Sequence, residues 1–301
     1  MTEPFVVAIV LNWNRCGDTR ECLESLTAGT YGNLQIMVLN CGSSRDSVAA
    51  IRDGFPDVDV IELTENQGYA GNNNVGIRMA FQRGAEWVLV LNEDTILARD
   101  CVEELVKAGE SDSRVGIVGP MVYHYDEPEV IQSAGGMLGP FWESLHLDMN
   151  ERDSQQLREP HTVEWVSGCG MLVRRGLTQD VGLFDERFFA YWEEIEWCLR
   201  AGRAGWPTLH APQAKMWHKG VRRHYRPSPS VTYYCTRNRL LTLAKHHAPL
   251  RVWIGASLQM ARTVASWTIR PKWKSMFTHR QAICRGVMDF VLGRWGGPIE
   301  L

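Results

Sequence analysis

The chain has 301 residues, 45% of them hydrophobic and 22% charged, with 32 Lys/Arg against 35 Asp/Glu. That length suits one large α/β domain with an appendage, or two modest domains, and the composition excludes both a disordered chain and a coiled coil. Eight cysteines without a C-x-x-C pair or a Cys/His cluster point to reduced thiols in a cytoplasmic protein, not to a zinc module or a disulfide framework.

The net charge of −3 hides a division: residues 219–301 hold 15 Lys/Arg against two acids, Asp289 and Glu300. An acidic body therefore carries a basic tail. At the N-terminal side, Phe5–Leu11 is too short to span a bilayer and lacks a basic leader; its β-branched run predicts a strand buried on both faces. Asp18–Thr27 follows with Cys22, Leu23 and Leu26 at helical spacing and Asp18 or Thr19 as cap. Leu34–Leu39 predicts a second strand, Val48–Gly54 a short helix, Val58–Leu63 a third strand, Asn73–Arg83 a helix and Trp87–Leu91 a fourth strand. This alternation argues for βαβ units, whose ligands collect at the carboxyl ends of the strands. Asn12, Asn40, Asn66 and Asn92 each follow such a strand or lie just beyond it.

From about Val115 the alternation loosens. Glu127–Pro160 reads as an irregular region, Phe184–Arg200 as a turn and then a helix rich in aromatics and acids. After Pro249 come the apolar Leu250–Thr268 with single basic residues, Pro271-Lys-Trp-Lys274, and a last segment from Gln281 to Leu292.

Three constellations have residue types suited to chemistry. Leu91-Asn-Glu-Asp-Thr95 is a strand-end acidic turn: a hard cation that also binds phosphates needs only one or two protein carboxylates, although such acids equally serve as helix caps. Glu193-Glu194-Ile-Glu196 follows Phe188-Phe-Ala-Tyr-Trp192, so bulky aromatics could desolvate a carboxylate into a general base. The plainer alternative is a solvated helix face with Glu196 paired to Arg200. Asn66-Gln-Gly-Tyr-Ala-Gly-Asn-Asn-Asn74 offers glycines and a helix start to an anion, or simply a tight turn with its cap.

Taken together, these segments resemble the family 2 glycosyltransferases. Val10-Leu-Asn-Trp-Asn14, Val38-Leu-Asn-Cys-Gly-Ser43, Glu65–Ile77, Leu91–Thr95, Gly182–Arg200, Trp217-His-Lys-Gly220 and Tyr233-Tyr-Cys-Thr-Arg-Asn-Arg-Leu-Leu241 follow the family pattern in order, over about residues 5–248. Ile131-Gln-Ser-Ala-Gly-Gly136 is similar to the bacterial rhamnosyltransferase-type branch. The resemblance implies a GT-A fold: α/β, Rossmann-like, a mostly parallel central sheet flanked by helices. The implied catalytic domain is 1–248, with its nucleotide-binding part at about 1–120 and its acceptor-binding part at about 121–248. Residues 249–301 would form a basic, Trp-rich helical tail.

By the same resemblance the donor is a nucleotide-sugar, dTDP- or UDP-linked, with Mg2+ or Mn2+. Asp94 would be the principal metal ligand in an N-x-D form of the family's D-x-D motif, and His218 would complete the metal or diphosphate site or act as a structural hydrogen-bonder. The acid pair falls on Glu193 and Glu194, with Glu194 the expected base of an inverting transfer and Glu193 the second candidate. Asn12, Asn14, Asn40, Asn66, Gly68, Asn74, Asn92 and Arg223 make up the implied donor-binding set. The family usually has Asp-Asn where this chain has Asn40-Cys41; an amide carbonyl still accepts the N3–H of a pyrimidine. Arg222, Arg223 and Arg226 read either as a basic loop that closes over the diphosphate or as a solvated loop.

The implied function is transfer of a sugar, foremost L-rhamnose from dTDP-rhamnose, onto a saccharide or lipid-linked saccharide acceptor in bacterial cell-surface polysaccharide synthesis. A UDP-hexose donor, a nucleotidyltransferase and a nucleotide-binding relative without activity are the alternatives. Basic residues among Trp253, Trp267 and Trp273 suit a peripheral helix on the inner face of the plasma membrane; packing on the catalytic domain or a homodimer would also use them. No motif points to nucleic acid.

Overall fold

The structure, a computed structural model, describes residues 3–42 and 45–297; Ser43 of the second motif and Glu300 of the tail lie outside them. Strands β1 (Val6–Asn12), β2 (Leu34–Asn40), β3 (Asp59–Glu62) and β4 (Trp87–Asn92) pair in parallel in the order β3-β2-β1-β4. Helices α1 (Cys16–Thr27), α2 (Arg45–Gly54) and α3 (Gly68–Gln82) connect them. Then come β5 (Thr95–Leu97), α4 (Cys101–Gly109) and β6 (Ile117–His124). Short strands β7 (Ile131–Ser133), β8 (Gly136–Leu138) and β9 (Ser144–His146) occupy the region expected to be irregular, and β10 (His161–Val163) follows directly after it. β11 (Gly170–Arg174), α5 (Arg175–Val181), α6 (Glu193–Arg203) and β12 (Thr208–His218) complete the sheet region. β11 lies antiparallel between β4 and β6, and β12 runs parallel to β6 with β10 on its outer edge.

Both faces of the sheet are covered, which is why β1 is apolar without interruption. Val6, Ala8 and Val10 pack with Cys22, Leu23 and Leu26 of α1 and Leu105 of α4, while Val7 and Ile9 pack with Ala70 and Ile77 of α3 and Trp197 of α6. Each such Val or Ile contributes about 1.5–3 kcal/mol on burial.

Three helix starts differ from the sequence expectation, α2 beginning three residues before Val48. α1 begins at Cys16, so Thr19 lies inside it, and its hydroxyl bonds the side chain of Asn12 at 3.0 Å instead of capping. α3 begins five residues before Asn73. Asn72, Asn73 and Asn74 look like turn residues, yet all three are buried in the first turns, with their amides bonded to the turn or to the facing loop. Tertiary partners override a poor helix propensity here.

The boundary expected after residue 248 falls in the short link between α7 (Pro229–Lys245) and α8 (Leu250–Ile269), which α9 (Phe277–Val291) follows. These helices share a small core of Leu240, Leu243, Val252 and Ala256 with Trp142, Trp253 and Phe290. Tyr233 of α7 donates to Asp289 of α9 at 3.0 Å. Among the described residues no helix is long and apolar enough to cross a membrane.

Candidate active site

Sheet register sets the site. It pairs Asn12 with Asn40 and Leu11 with Asn92, so the ends of β2, β1 and β4 lie side by side. A cavity of about 590 Å³ opens there, with walls from Asn66, Gly68, Asn92, Glu193, Glu194 and His218 among others. Trp13 and Cys41 also line it.

Several of the expected donor contacts are occupied within the protein. Asn12 donates to the Asn40 carbonyl at 3.0 Å, a buried bridge between β1 and β2, and neither side chain lines the cavity. Asn66 accepts the Gly68 amide at 2.9 Å and closes the turn before α3. Gly68 has φ +74°, and a Cβ there would collide with the Phe189 carbonyl, so the backbone that approaches this glycine is the protein's own. Asn74 is remote from the cavity: it donates to the Phe184 carbonyl at 3.0 Å and accepts the Phe184 amide at 3.1 Å. Asn14 is exposed with φ +60°. Arg223 pairs with Glu127 at 2.9 Å.

Asp94 is buried at the start of β5, whose register sets Thr95 against His218 of β12. Its Oδ1 lies 3.2 Å from His218 Nε2 and its Oδ2 2.9 Å from Arg15. The histidine tautomer follows from its neighbours. Gln132 donates its amide to the Val221 carbonyl at 2.8 Å, which turns its own carbonyl oxygen to His218 Nδ1 at 2.9 Å. Nδ1 must therefore carry a proton, leaving Nε2 to face Asp94. Burial raises the carboxyl of Asp94, but the His218 hydrogen bond and charge, with Arg15, outweigh it and hold Asp94 below its usual value. Burial pushes the neighbouring Glu93 up to about 7, although it accepts the Trp13 amide.

One carboxylate and one imidazole fit a divalent ion whose other ligands are phosphate oxygens and water. The space for it is kept open by Gly220, where a Cβ would stand 2.7 Å from Asp94 Oδ2 and 3.0 Å from His218 Nε2. Among the described residues no cluster of three or more His, Cys, Asp or Glu forms a cage complete in itself.

The cavity lining also includes the acid pair with which α6 begins. Trp192 enters it at φ +74°, after Phe189 at +63° and Tyr191 at +67°, conformations costly for large side chains. Burial drives Glu193 well above the usual carboxyl range, and the charge of Glu194 adds to this. Burial also raises Glu194, but amides of the helix start pull it back to about 7. Of the pair, Glu194 has more of the helix-start amides on its carboxylate, which favours its ionised form. Glu193 Oε2 and Glu194 Oε2 are both buried without a hydrogen-bond partner. Glu196 differs: fully buried, it bonds Arg200 at 3.0 Å, Lys245 at 3.0 Å and His246 at 3.1 Å, and does not line the cavity. The Glu196–Arg200 pair forms as expected, but on a buried face.

The strained turn has a clamp. Asn238 of α7 donates to the carbonyls of Phe188, Ala190 and Tyr191 at 2.9, 2.8 and 2.6 Å, and the buried Arg237 donates to Phe188 at 2.8 Å and Arg187 at 3.2 Å. Asn238→Ala leaves these carbonyls under-satisfied and is expected to destabilise the fold by about 1–3 kcal/mol, read as a lower urea midpoint at unchanged slope. An unshifted midpoint would show that the turn holds itself.

Gln132, Tyr69, Arg237 and Asn238 stand inside the motif segments of the sequence without an assigned role, and Arg15 directly follows the first segment. Tyr69 lines the cavity and donates to the Gly168 carbonyl. The signal for Gln132 is its place in the Ile131–Gly136 segment; its contact with His218, 86 residues away, is invisible in sequence.

Residues 7–182 match the model of "Glycosyl transferase family 2". The chain is 29% identical over 263 residues to the N-acetylglucosaminyl-diphospho-decaprenol L-rhamnosyltransferase of Mycobacterium tuberculosis, covering 79% of this chain and 85% of that one. It is 24% identical to a dTDP-rhamnosyl transferase of Shigella flexneri over 66% of this chain and 69% of that one. In structure it is similar to a mannosyltransferase of Pyrobaculum calidifontis in complex with GDP-Man and Mn2+, with TM-score 0.61, 17% identity, and coverage of 98% and 89%. That likeness shows the GT-A fold.

Proposed function

The chain belongs to glycosyl transferase family 2, and from that premise we propose that it is a metal-dependent inverting enzyme that moves L-rhamnose from dTDP-rhamnose onto a lipid-linked saccharide. The site observation that carries this reading is a buried carboxylate raised to about 7, Glu194, lining the same cavity as His218, whose Nε2 lies 3.2 Å from Asp94. The rhamnosyltransferases among its relatives support the choice of sugar and acceptor. In this reading the protein works at the inner face of the plasma membrane in cell-surface polysaccharide synthesis.

Glu194, ionised, takes the proton of the acceptor hydroxyl. The hydroxyl oxygen bonds the anomeric carbon as the bond from that carbon to the diphosphate oxygen breaks, and the electron pair leaves with the diphosphate. Inversion results because entering and leaving oxygens lie on opposite faces. Asp94 and His218 would hold Mg2+ or Mn2+, which when bound offsets the charge of the leaving diphosphate. Burial and the charge of Glu194 both favour the protonated form of Glu193, which lessens the negative charge beside the base. Gln132 orients His218 through Nδ1.

Donor identity is open to direct test. dTDP-rhamnose with Mn2+ is expected to raise Tm more than UDP- or GDP-sugars do, since a ligand at 100 times its Kd adds about 2.7 kcal/mol to stability. Protection by a GDP-sugar alone would overturn the rhamnose assignment while leaving the enzyme class intact.

A further inference from the structure

Residues 250–288 contain no acid and seven cations. Of these cations, only Arg285 has a carboxylate partner among the described residues, Asp289 at 2.8 Å. In the body, by contrast, Arg15, Arg83, Arg174, Arg200 and Lys219 are all ion-paired.

The unpaired charge sits beside exposed apolar surface. One face of α8 packs through Val252, Gly255 and Ala256. The other exposes Leu250 (73%), Ile254 (51%), Leu258 (64%) and Ile269 (76%), whose spacings of four, four and eleven residues return to one side of a helix. This stripe runs into a crevice of about 470 Å³ between the end of α8 and the following turn, walled by Arg262, Ala265, Trp267, Ile269, Arg270 and Trp273. Exposed Phe277 begins α9 just beyond it.

The crevice lies close to the mouth of the catalytic cavity. Ser228, Ser230 and Val231 at the start of α7 line that cavity, and the next residue, Thr232, bonds His279 at 2.8 Å. His279 packs edge-on against Trp267, and Arg280 donates to Thr268 at 3.1 Å.

We propose that the end of α8 and the start of α9 form a docking surface for an anionic phospholipid bilayer, with a headgroup phosphate seated between Arg262 and Arg270. The two halves of the surface select that occupant together. A soluble anion would leave the Leu258–Ile269 stripe in water, and an apolar protein partner would strand the unpaired cations; a bilayer surface takes the apolar side chains below its headgroups and the cations among them. No described helix is long and apolar enough to cross, so the face lies on the bilayer. Docking there brings the cavity mouth to the level of the headgroups, where the diphosphate of a lipid-linked acceptor is found; this consequence rests on the proposed activity, whereas docking itself does not.

The test is sedimentation of the full chain with phosphatidylcholine vesicles, with and without phosphatidylglycerol. Binding is expected only with the anionic lipid and is expected to weaken with salt. Arg262→Ala with Arg270→Ala should weaken it about 25-fold, at roughly fivefold per basic residue, and Leu258→Ser with Ile269→Ser should also weaken it. Neither pair should change hydrolysis of a nucleotide-sugar donor or Tm. Equal binding to neutral vesicles, or binding that both pairs leave unchanged, overturns the proposal. So does a wild-type dimer by light scattering that the serine pair dissociates without any vesicle binding, which would assign the stripe to a second copy. Vesicle binding without sugar transfer would instead count against the proposed activity alone.

Discussion

Glu194→Gln is expected to lower kcat by about 10²–10⁴-fold, the usual contribution of a positioned general base, with little change in donor KM. The sign of the pH dependence follows from burial. The base works ionised and sits at about 7, so kcat/KM of the wild type should fall about tenfold per unit as pH drops below 7, while the residual rate of the variant stays flat. Stability separates this from misfolding. The folded-state value lies above the usual 4.5, so the stabilising contribution is complete below 4.5 and is lost as pH rises through 7. The amide cannot ionise, and at pH 8 the variant should be no less stable than the wild type. Full activity in Glu194→Gln would pass the role to Glu193.

Asp94→Asn is expected to cost about 10²-fold or more in kcat, because charge on the leaving diphosphate would go unbalanced where it develops. A readout independent of turnover is the Tm shift on adding a nucleoside diphosphate with Mn2+, which the wild type should show and the variant should lose. The substitution also removes the partner of both Arg15 and His218, so urea unfolding of the free variant sets the baseline. Retention of the Mn2+-dependent shift would exclude Asp94 as the ligand.

The GT-A core was legible in the sequence because buried parallel strands have to be apolar on both sides, and Val6–Leu11, Leu34–Leu39 and Trp87–Leu91 carry that mark. The acid pair was legible for a related reason: Glu193 and Glu194 directly follow aromatics that exclude water, and desolvation is what moves a carboxyl. Less of the asparagine set was readable. Asn12, Asn40 and Asn74 stand at strand ends and a helix start, as donor-contacting groups would, yet in the folded chain they bond one another or a loop 110 residues away. An amide that binds a ligand and one that ties two elements look identical in a linear chain.

Sequence by itself determined the alternation of elements, the family, the acidic turn at Asp94 and the concentration of positive charge after residue 249, because these depend on local periodicity and composition. Only the tertiary structure decided how deeply the acid pair is buried, which nitrogen of His218 faces Asp94, and what holds the turn before α6. Those properties depend on burial and on partners such as Gln132 and Asn238, which lie 86 and 47–50 residues away and come into contact only when the sheet and helices pack.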